Sequence, residues 1–331
     1  MTSTTPPDVA AHVESLIPQF SPTRLLNADQ AGRRISLLGT IASKPALLIA
    51  ERAAFSTAPS TITTFPSTLT GIKNLGANDI YAWFLAHSSP SLPLSPSTAD
   101  LKLNLIYPCT PQHIKKYTKQ PLRVVTETPA IYAAHVRPYM AAVREAGRLN
   151  WVFNILDGVT EQDDIIYREK RGERDGFLIL PDLNWDRKTM ESLHLLGLVD
   201  RRDLWSVRDL KKGDGEWVRH VRERLVEKTV ELYGGQGVER DMLKMYVHYQ
   251  PTYYHFHVHV VHVGLEAGNT QATGKALGLE NVVSVLENLR DREDGVEASM
   301  ADVDLTYHVG EQSELWEKIW LPLKEGRAVE L

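Results

Sequence analysis

The sequence predicts an α+β protein of two domains: a sheet-rich first domain, and a second that joins an antiparallel sheet to helices. Three observations carry this. Short apolar runs broken by Gly and Pro fill the first third of the chain. Strand-type runs alternate with two helical patterns in the second half. With 331 residues and 43% hydrophobic composition, there is chain enough for two cores of roughly 150 residues each.

The elements follow in order. Residues 1–14 are polar and contain Pro, and are expected to lack order. A first domain is assigned to 15–125. In it RRISLLGTIASKPALLIAERAAF, from Arg33, reads as paired strands broken at Gly39 and at Lys44–Pro45. Ser88 to Ala99 is Ser- and Pro-rich and reads as a loop, and LKLNLIYP (101–108) reads as a strand stopped by Pro108. Residues 126–150, with Pro129 and Pro138, read as a hinge. The second domain is assigned to 151–331. GFLILPDLNW (176–185) holds a buried-type strand ending at Pro181. Trp217, Val218, Val221, Leu225 and Leu232 recur at helical spacing, with Asp214 as N-cap and Gly234–Gly235 as stop. MLKMYVHYQ (242–250) and YHFHVHVVHV (254–263) read as strands separated by Pro251–Thr252. A helix over Leu277 to Leu289 and a last strand over Val303 to His308 complete the layer.

Composition excludes several classes. A net charge of −5 argues against a grip on DNA or long RNA, which needs many phosphate-neutralising cations. No apolar run reaches the ~18 residues of a membrane helix, so no membrane partner is expected. The opening MTSTTPPDVAAHVESLIP lacks the basic and apolar regions of a secretory signal. The single cysteine, Cys109, has no internal disulfide partner, which fits a reducing compartment. The expected location is the cytoplasm, with the nucleus also open.

The informative words are His255-Phe-His257-Val-His259. Side chains alternate along a strand, so the three histidines share one face about 6–7 Å apart, and His262 points away from them. Three readings compete. Histidines on an exposed strand can be incidental. Paired histidines can hold zinc, although that needs further ligands, Cys109 is alone and no HExxH motif occurs. The third reading is phosphate chemistry: an imidazole can attack phosphorus and form a covalent intermediate while its neighbours bond the phosphate oxygens.

The His-φ-His-φ-His-φ-φ pattern, with Val260 and Val261 at its end, resembles the histidine-triad superfamily of nucleotide hydrolases and transferases. That resemblance implies His257 as nucleophile, His255 as its orienting partner, His259 as a phosphate contact, and no metal or other cofactor. Neutral imidazole is nucleophilic near neutral pH, and a backbone hydrogen bond to one ring nitrogen aims the other.

Further words narrow the resemblance. VHYQPTYYHFHVH (247–259), WVFNILDGVTE (151–161), FLILPDLNW (177–185), RRDLWSVRDL (201–210) and NDIYAWF (78–84) are similar, in order, to the scavenger mRNA decapping enzymes. This implies that His248, Thr252 and Tyr253 line the phosphate chain. It implies a cap pocket in which Trp151 stacks on 7-methylguanine and Leu183 closes the opposite face. Glu161 would read the Watson–Crick edge, the Pro181 carbonyl would accept from the base, and Asp182 would face the ribose or its phosphates. Asn78 would reach the cap from the first domain. A cationic base over an indole suits such a pocket, because the ring face attracts positive charge. The implied substrates are cap dinucleotides and short capped RNA, and the implied assembly is a homodimer formed through the first domains.

One position departs from the family pattern: Asn184 follows Pro-Asp-Leu where a lysine is usual, and Lys73, Lys115 and Lys116 are candidates to compensate. Two other functions stay open on this evidence, a general dinucleoside polyphosphate hydrolase and a catalytically weak or regulatory cap-binding paralogue. The basic cluster Arg201, Arg202, Arg208, Lys211 and Lys212 reads as a solvated face.

Overall fold

The computed structural model describes residues 7–88, 99–183 and 185–330, so Asn184 and nearly all of the Ser/Pro-rich stretch lie outside the described residues. The chain divides into two units, residues 1–120 and 121–331. The sheets and helices make it α+β, as the patterning predicts. Among the described residues no helix is long and apolar enough to cross a membrane.

The first unit opens on helix α1 (Pro7–Leu16), so order begins within the stretch expected to have none. Strands β1 (Ser21–Ala28), β2 (Arg34–Ile41) and β3 (Lys44–Arg52) then form an antiparallel meander. The expected break at Gly39 does not occur: β2 runs through it, paired with Ala46, and Pro45 pairs with Thr40. The turn falls instead on Ala42 and Ser43, at φ 46° and 64°, and two left-handed residues in succession twist a hairpin the way its strands need. Gly39 is required for close approach, because a Cβ there would lie 2.3 Å from the Ser21 carbonyl oxygen. After α2 (Pro59–Thr64), strands β4 (Leu69–Asn78) and β5 (Tyr81–Ser88) form a separate hairpin whose Ile72, Leu75, Trp83 and Phe84 are all exposed. Strand β6 (Leu101–Ile106) pairs with β3, and α3 (Pro111–Tyr117) follows, capped by Thr110. Leu26, Leu47 and Cys109 are the buried centre of this unit.

The second unit starts at β7 (Leu122–Glu127), which pairs with β14 (Leu305–Gly310). Residues 126–150, expected as a hinge, are largely helical and belong to this unit: α4 (Pro129–Ile131) passes through a π turn at Tyr132–Val136 into α5 (Arg137–Glu145). Tyr132, Val136, Tyr139 and Met140 point into the main core, a periodicity that the prolines masked. Helix α6 (Asn150–Leu156) follows.

The main sheet has the order β13-β11-β12-β10-β9-β8 and every pairing in it is antiparallel. Its strands are β8 (Tyr167–Glu169), β9 (Phe177–Pro181), β10 (His194–Val199), β11 (Leu243–His248), β12 (His257–His262) and β13 (Ala276–Gly278). One face packs on α7 (Gly215–Tyr233), which approaches so closely that a Cβ on Gly197 would meet Leu225 at 2.9 Å. Helix α8 (Leu279–Glu287) adds Val282, Val283 and Leu286 to the same core. Asp214 stands at the N-cap of α7, yet its carboxylate accepts from Arg201 and Arg174 rather than from the helix. Beyond β14 the chain makes a π turn at Trp316–Trp320 and a last helix, α9 (Leu321–Lys324), which the sequence reading leaves out; Trp316, Ile319 and Trp320 are its buried anchors.

Candidate active site

The other face of the main sheet carries the histidines. In β12 the register sets His257 opposite Leu198 of β10, and His259 opposite both Leu196 of β10 and Tyr246 of β11. Residues directly opposite in an antiparallel pair share a face, and so do residues two apart on a strand. His257, His259, Tyr246, His248 and His194 therefore meet on one surface. The contacts agree. Tyr246 stacks on His259 at 4.8 Å between ring centroids, His248 lies 4.2 Å from His259, and His257 lies 5.3 Å from it.

His255 does not continue the row as a strand residue. β12 begins at His257, and His255 lies in the bend before it, fully buried against the edge of Phe153. Its Nε2 donates to the carbonyl of Val199 at 2.7 Å. Its own carbonyl accepts from Nδ1 of His257 at 2.8 Å. A carbonyl only accepts, so the His257 proton is on Nδ1 and the lone pair is on Nε2. His262, of opposite parity, accepts from Gly264 N–H at the partly exposed end of β12.

Burial also fixes charge. Desolvation pushes His257, His255 and His248 each down to about 4, and it lowers His259 further with help from neighbouring His257. All four rings are neutral near pH 7. His248 donates from Nε2 to the carbonyl of Thr270 at 2.8 Å. His259 Nδ1 and His194 Nε2 share a hydrogen bond of 2.9 Å, and the Asp182 carboxylate lies 3.8 Å from the same His194 nitrogen.

Above His257 the rings form a ladder. Tyr253 stacks on His257 with centroids 4.2 Å apart and planes 17° from parallel, and Trp151 on α6 meets Tyr253 edge-on at 5.0 Å. Trp151 remains 45% exposed, so much of the indole surface is free to take a ligand. A cleft of about 350 Å³ opens beside Thr252 and Tyr253, with Lys275 and Arg148 in its wall. Lys275 donates to the carbonyl of Gln250, and burial lowers its pKa.

Pro181 ends β9 opposite Leu195, and Asp182 N–H donates to the His194 carbonyl, which brings Asp182 to the histidines. Leu183, one residue on, is 96% exposed. Glu161 is exposed in a left-handed turn after α6, at φ 54°. Asn78 ends β4 in the first unit, at the hairpin turn opposite Tyr81. Lys73 is on β4, and Lys115 and Lys116 are in the last turn of α3.

The basic cluster is a solvated face only in part: Arg202 and Lys211 are exposed, whereas Arg208 is buried. Arg201 pairs with Asp203 and Asp214, Arg202 with Asp157, and Lys212 with Asp291. Arg208 is fully buried against Glu127. The Glu127 carboxylate also accepts from Tyr249, Tyr307 and Gln250. This network fixes the start of segment 249–256, which carries Thr252, Tyr253 and His255. Sequence reasoning overlooks Glu127, Tyr246, His194 and Lys275. Strand parity could have found His194 and Tyr246, since both share a face with His259. No local pattern marks Glu127, whose partners come from segments far apart in the chain.

Comparison with known proteins supplies the relatives. The family model described as the scavenger mRNA decapping enzyme (DcpS) N-terminal region matches residues 15–120. The model described as scavenger mRNA decapping enzyme C-term binding matches residues 150–274. A Schizosaccharomyces pombe protein named m7GpppX diphosphatase is 33% identical over 304 residues, covering 92% of this chain and 95% of that protein. Its namesake in Ascaris suum is 36% identical over 275 residues, covering 82% and 86%. The Homo sapiens protein of the same name is 33% identical over 213 residues, covering 64% and 58%. The chain belongs to the scavenger mRNA decapping enzyme family.

Proposed function

We propose that this protein is an m7GpppX diphosphatase that hydrolyses 7-methylguanosine cap dinucleotides and short capped oligonucleotides, in mRNA decay, through a covalent intermediate on His257. The observation that carries the reading is the state of that imidazole. Its Nδ1 hydrogen is committed to the His255 carbonyl, its ring is neutral, and its Nε2 lone pair is left for attack.

In the first step Nε2 of His257 bonds to the phosphorus next to 7-methylguanosine. The bond from that phosphorus to its bridging oxygen breaks, and a nucleoside or oligonucleotide 5′-diphosphate leaves. In the second step water attacks the same phosphorus, the P–Nε2 bond breaks, and 7-methyl-GMP departs with His257 restored. His259 and His248 contact the phosphate oxygens, with Thr252 and Tyr253 beside them. Trp151 stacks on the methylated base, Leu183 covers its other face, Glu161 and the Pro181 carbonyl read its edge, and Asp182 completes the contacts. Lys275, half-buried in the adjacent cleft beside Thr252 and Tyr253, supports a phosphate site there, because a partly desolvated cation offsets phosphate charge.

The active form in this reading is a homodimer. The hairpin β4–β5 supports it, since Ile72, Leu75, Trp83 and Phe84 together expose more apolar surface than a strand pair normally leaves to water. The free thiol of Cys109, buried in the first unit, suits the reducing cytoplasm or nucleus.

The test is product identity. m7GpppG should give 7-methyl-GMP and GDP, with activity retained in EDTA, and GpppG should react far more slowly. Equal rates on the two substrates would mark a general dinucleoside polyphosphate hydrolase. Binding of cap without product would mark a regulatory subunit.

A further inference from the structure

We propose that His248, His257 and His259 form a reversible inhibitory site for one zinc-type divalent cation, which silences the nucleophile when bound. One ring nitrogen from each of the three lies within 4.8 Å of the other two. Around a tetrahedral zinc, nitrogens at about 2.0–2.1 Å from the metal sit roughly 3.3 Å from one another, so small ring tilts close the site.

Hydrogen bonding on the far side of each ring makes the case stronger than proximity alone. A histidine that ligates a metal donates its other N–H to a carbonyl or similar acceptor, which fixes the tautomer and aims the lone pair. His248 donates from Nε2 to the Thr270 carbonyl, leaving Nδ1 free. His257 donates from Nδ1 to the His255 carbonyl, leaving Nε2 free. His259 uses Nδ1 toward His194, and its Nε2 is buried with no hydrogen-bond partner. The His194–His259 bond works in either direction. With His194 as donor, His259 presents Nε2–H to a phosphate; with His259 as donor, it presents a lone pair to a cation. His259 is only 6% exposed, so the unpartnered nitrogen is an unmet demand in the site.

Three neutral imidazoles with no carboxylate select zinc or a similar soft cation over Mg²⁺ or Ca²⁺, which take oxygen ligands. The overlapping set Asp182, His194 and His259 is the weaker choice, because the His194 nitrogen is already engaged by His259. A cation on His257 Nε2 occupies the electron pair that attacks phosphorus, so zinc and catalysis exclude each other. The inhibition rests on the proposed function; the binding does not.

The experiment is calorimetric titration of metal-free full-length protein with Zn²⁺ alone, beside His248→Gln and His194→Phe. One zinc per chain is expected. Its affinity should fall at least about 10-fold in His248→Gln, and roughly 10- to 100-fold in His194→Phe, the usual cost of losing an outer-shell partner. Should His248→Gln fail to fold, His194→Phe carries the comparison, and the visible spectrum of Co²⁺-loaded wild type reads the four-coordinate environment directly, three imidazole nitrogens with solvent as the fourth ligand. Zinc should also block m7GpppG hydrolysis, with EDTA reversing the block. Absence of stoichiometric binding to wild type, or equal affinity in the folded variants, overturns the proposal. A protein that binds zinc in this pattern but never cleaves cap would refute the proposed function and leave the site standing.

Discussion

His257 donates its Nδ1 hydrogen to the backbone carbonyl of His255, 2.8 Å away. The first histidine of the triad thus orients the second through its main chain, while its own ring is anchored on Val199. In the proposed reaction the anchor matters because a nucleophile misplaced by about 1 Å can lose on the order of 100-fold in rate.

Trp151→Ala should weaken binding of 7-methyl-GMP or of a cap analogue by roughly 1–3 kcal/mol, the range for base–aromatic stacking. Fluorescence titration measures it. The half-exposed indole beside Tyr253 is the reason to expect an effect on binding with little effect on folding. An unchanged dissociation constant removes Trp151 from the pocket.

Glu127→Gln should destabilise the second unit by about 3–5 kcal/mol, because it leaves the Arg208 charge buried without its carboxylate. Urea unfolding followed by circular dichroism reads the change. A loss under about 1 kcal/mol would show that the carbonyls of Met300 and Val303, which also accept from Arg208, hold the cation without Glu127.

A third prediction concerns pH. The Arg224 hydrogen bonds to Glu169 hold that carboxyl below its usual range. A folded pKa below the unfolded one contributes stability at neutral pH that is lost as pH falls through the folded value. Arg224→Leu should therefore cost roughly 1–2 kcal/mol at neutral pH, the low end for a bond to a charged group given that Arg224 is 29% exposed. Thermal melts at a series of pH values should show the gap between wild type and variant narrowing in acid. A gap independent of pH would mean that Arg224 acts through packing.

Much of this architecture is legible in the sequence because strand alternation is a local rule. It places His257 and His259 on one face, and it sends His262 away. It fails at His255, because the bend after Pro251 delays the strand to His257, and a bend's length is set by tertiary contacts such as Phe153 and Val199. Pro129 and Pro138 suggest a hinge, yet Pro129 sits at the first position of α4, where a missing N–H costs nothing, and Pro138 comes just after the π turn inside a continuous helical run. Arg208 reads as one member of a basic surface cluster, although its partner lies 81 residues earlier. Long-range pairing of that kind leaves no periodic trace.

The most direct test of the central claim is the rate of 7-methyl-GMP release from m7GpppG by wild type and by folded His257→Asn, measured side by side. Near-complete loss in the variant, with cap binding retained, is the result expected of a nucleophile. Substantial product from His257→Asn would contradict covalent catalysis at this residue.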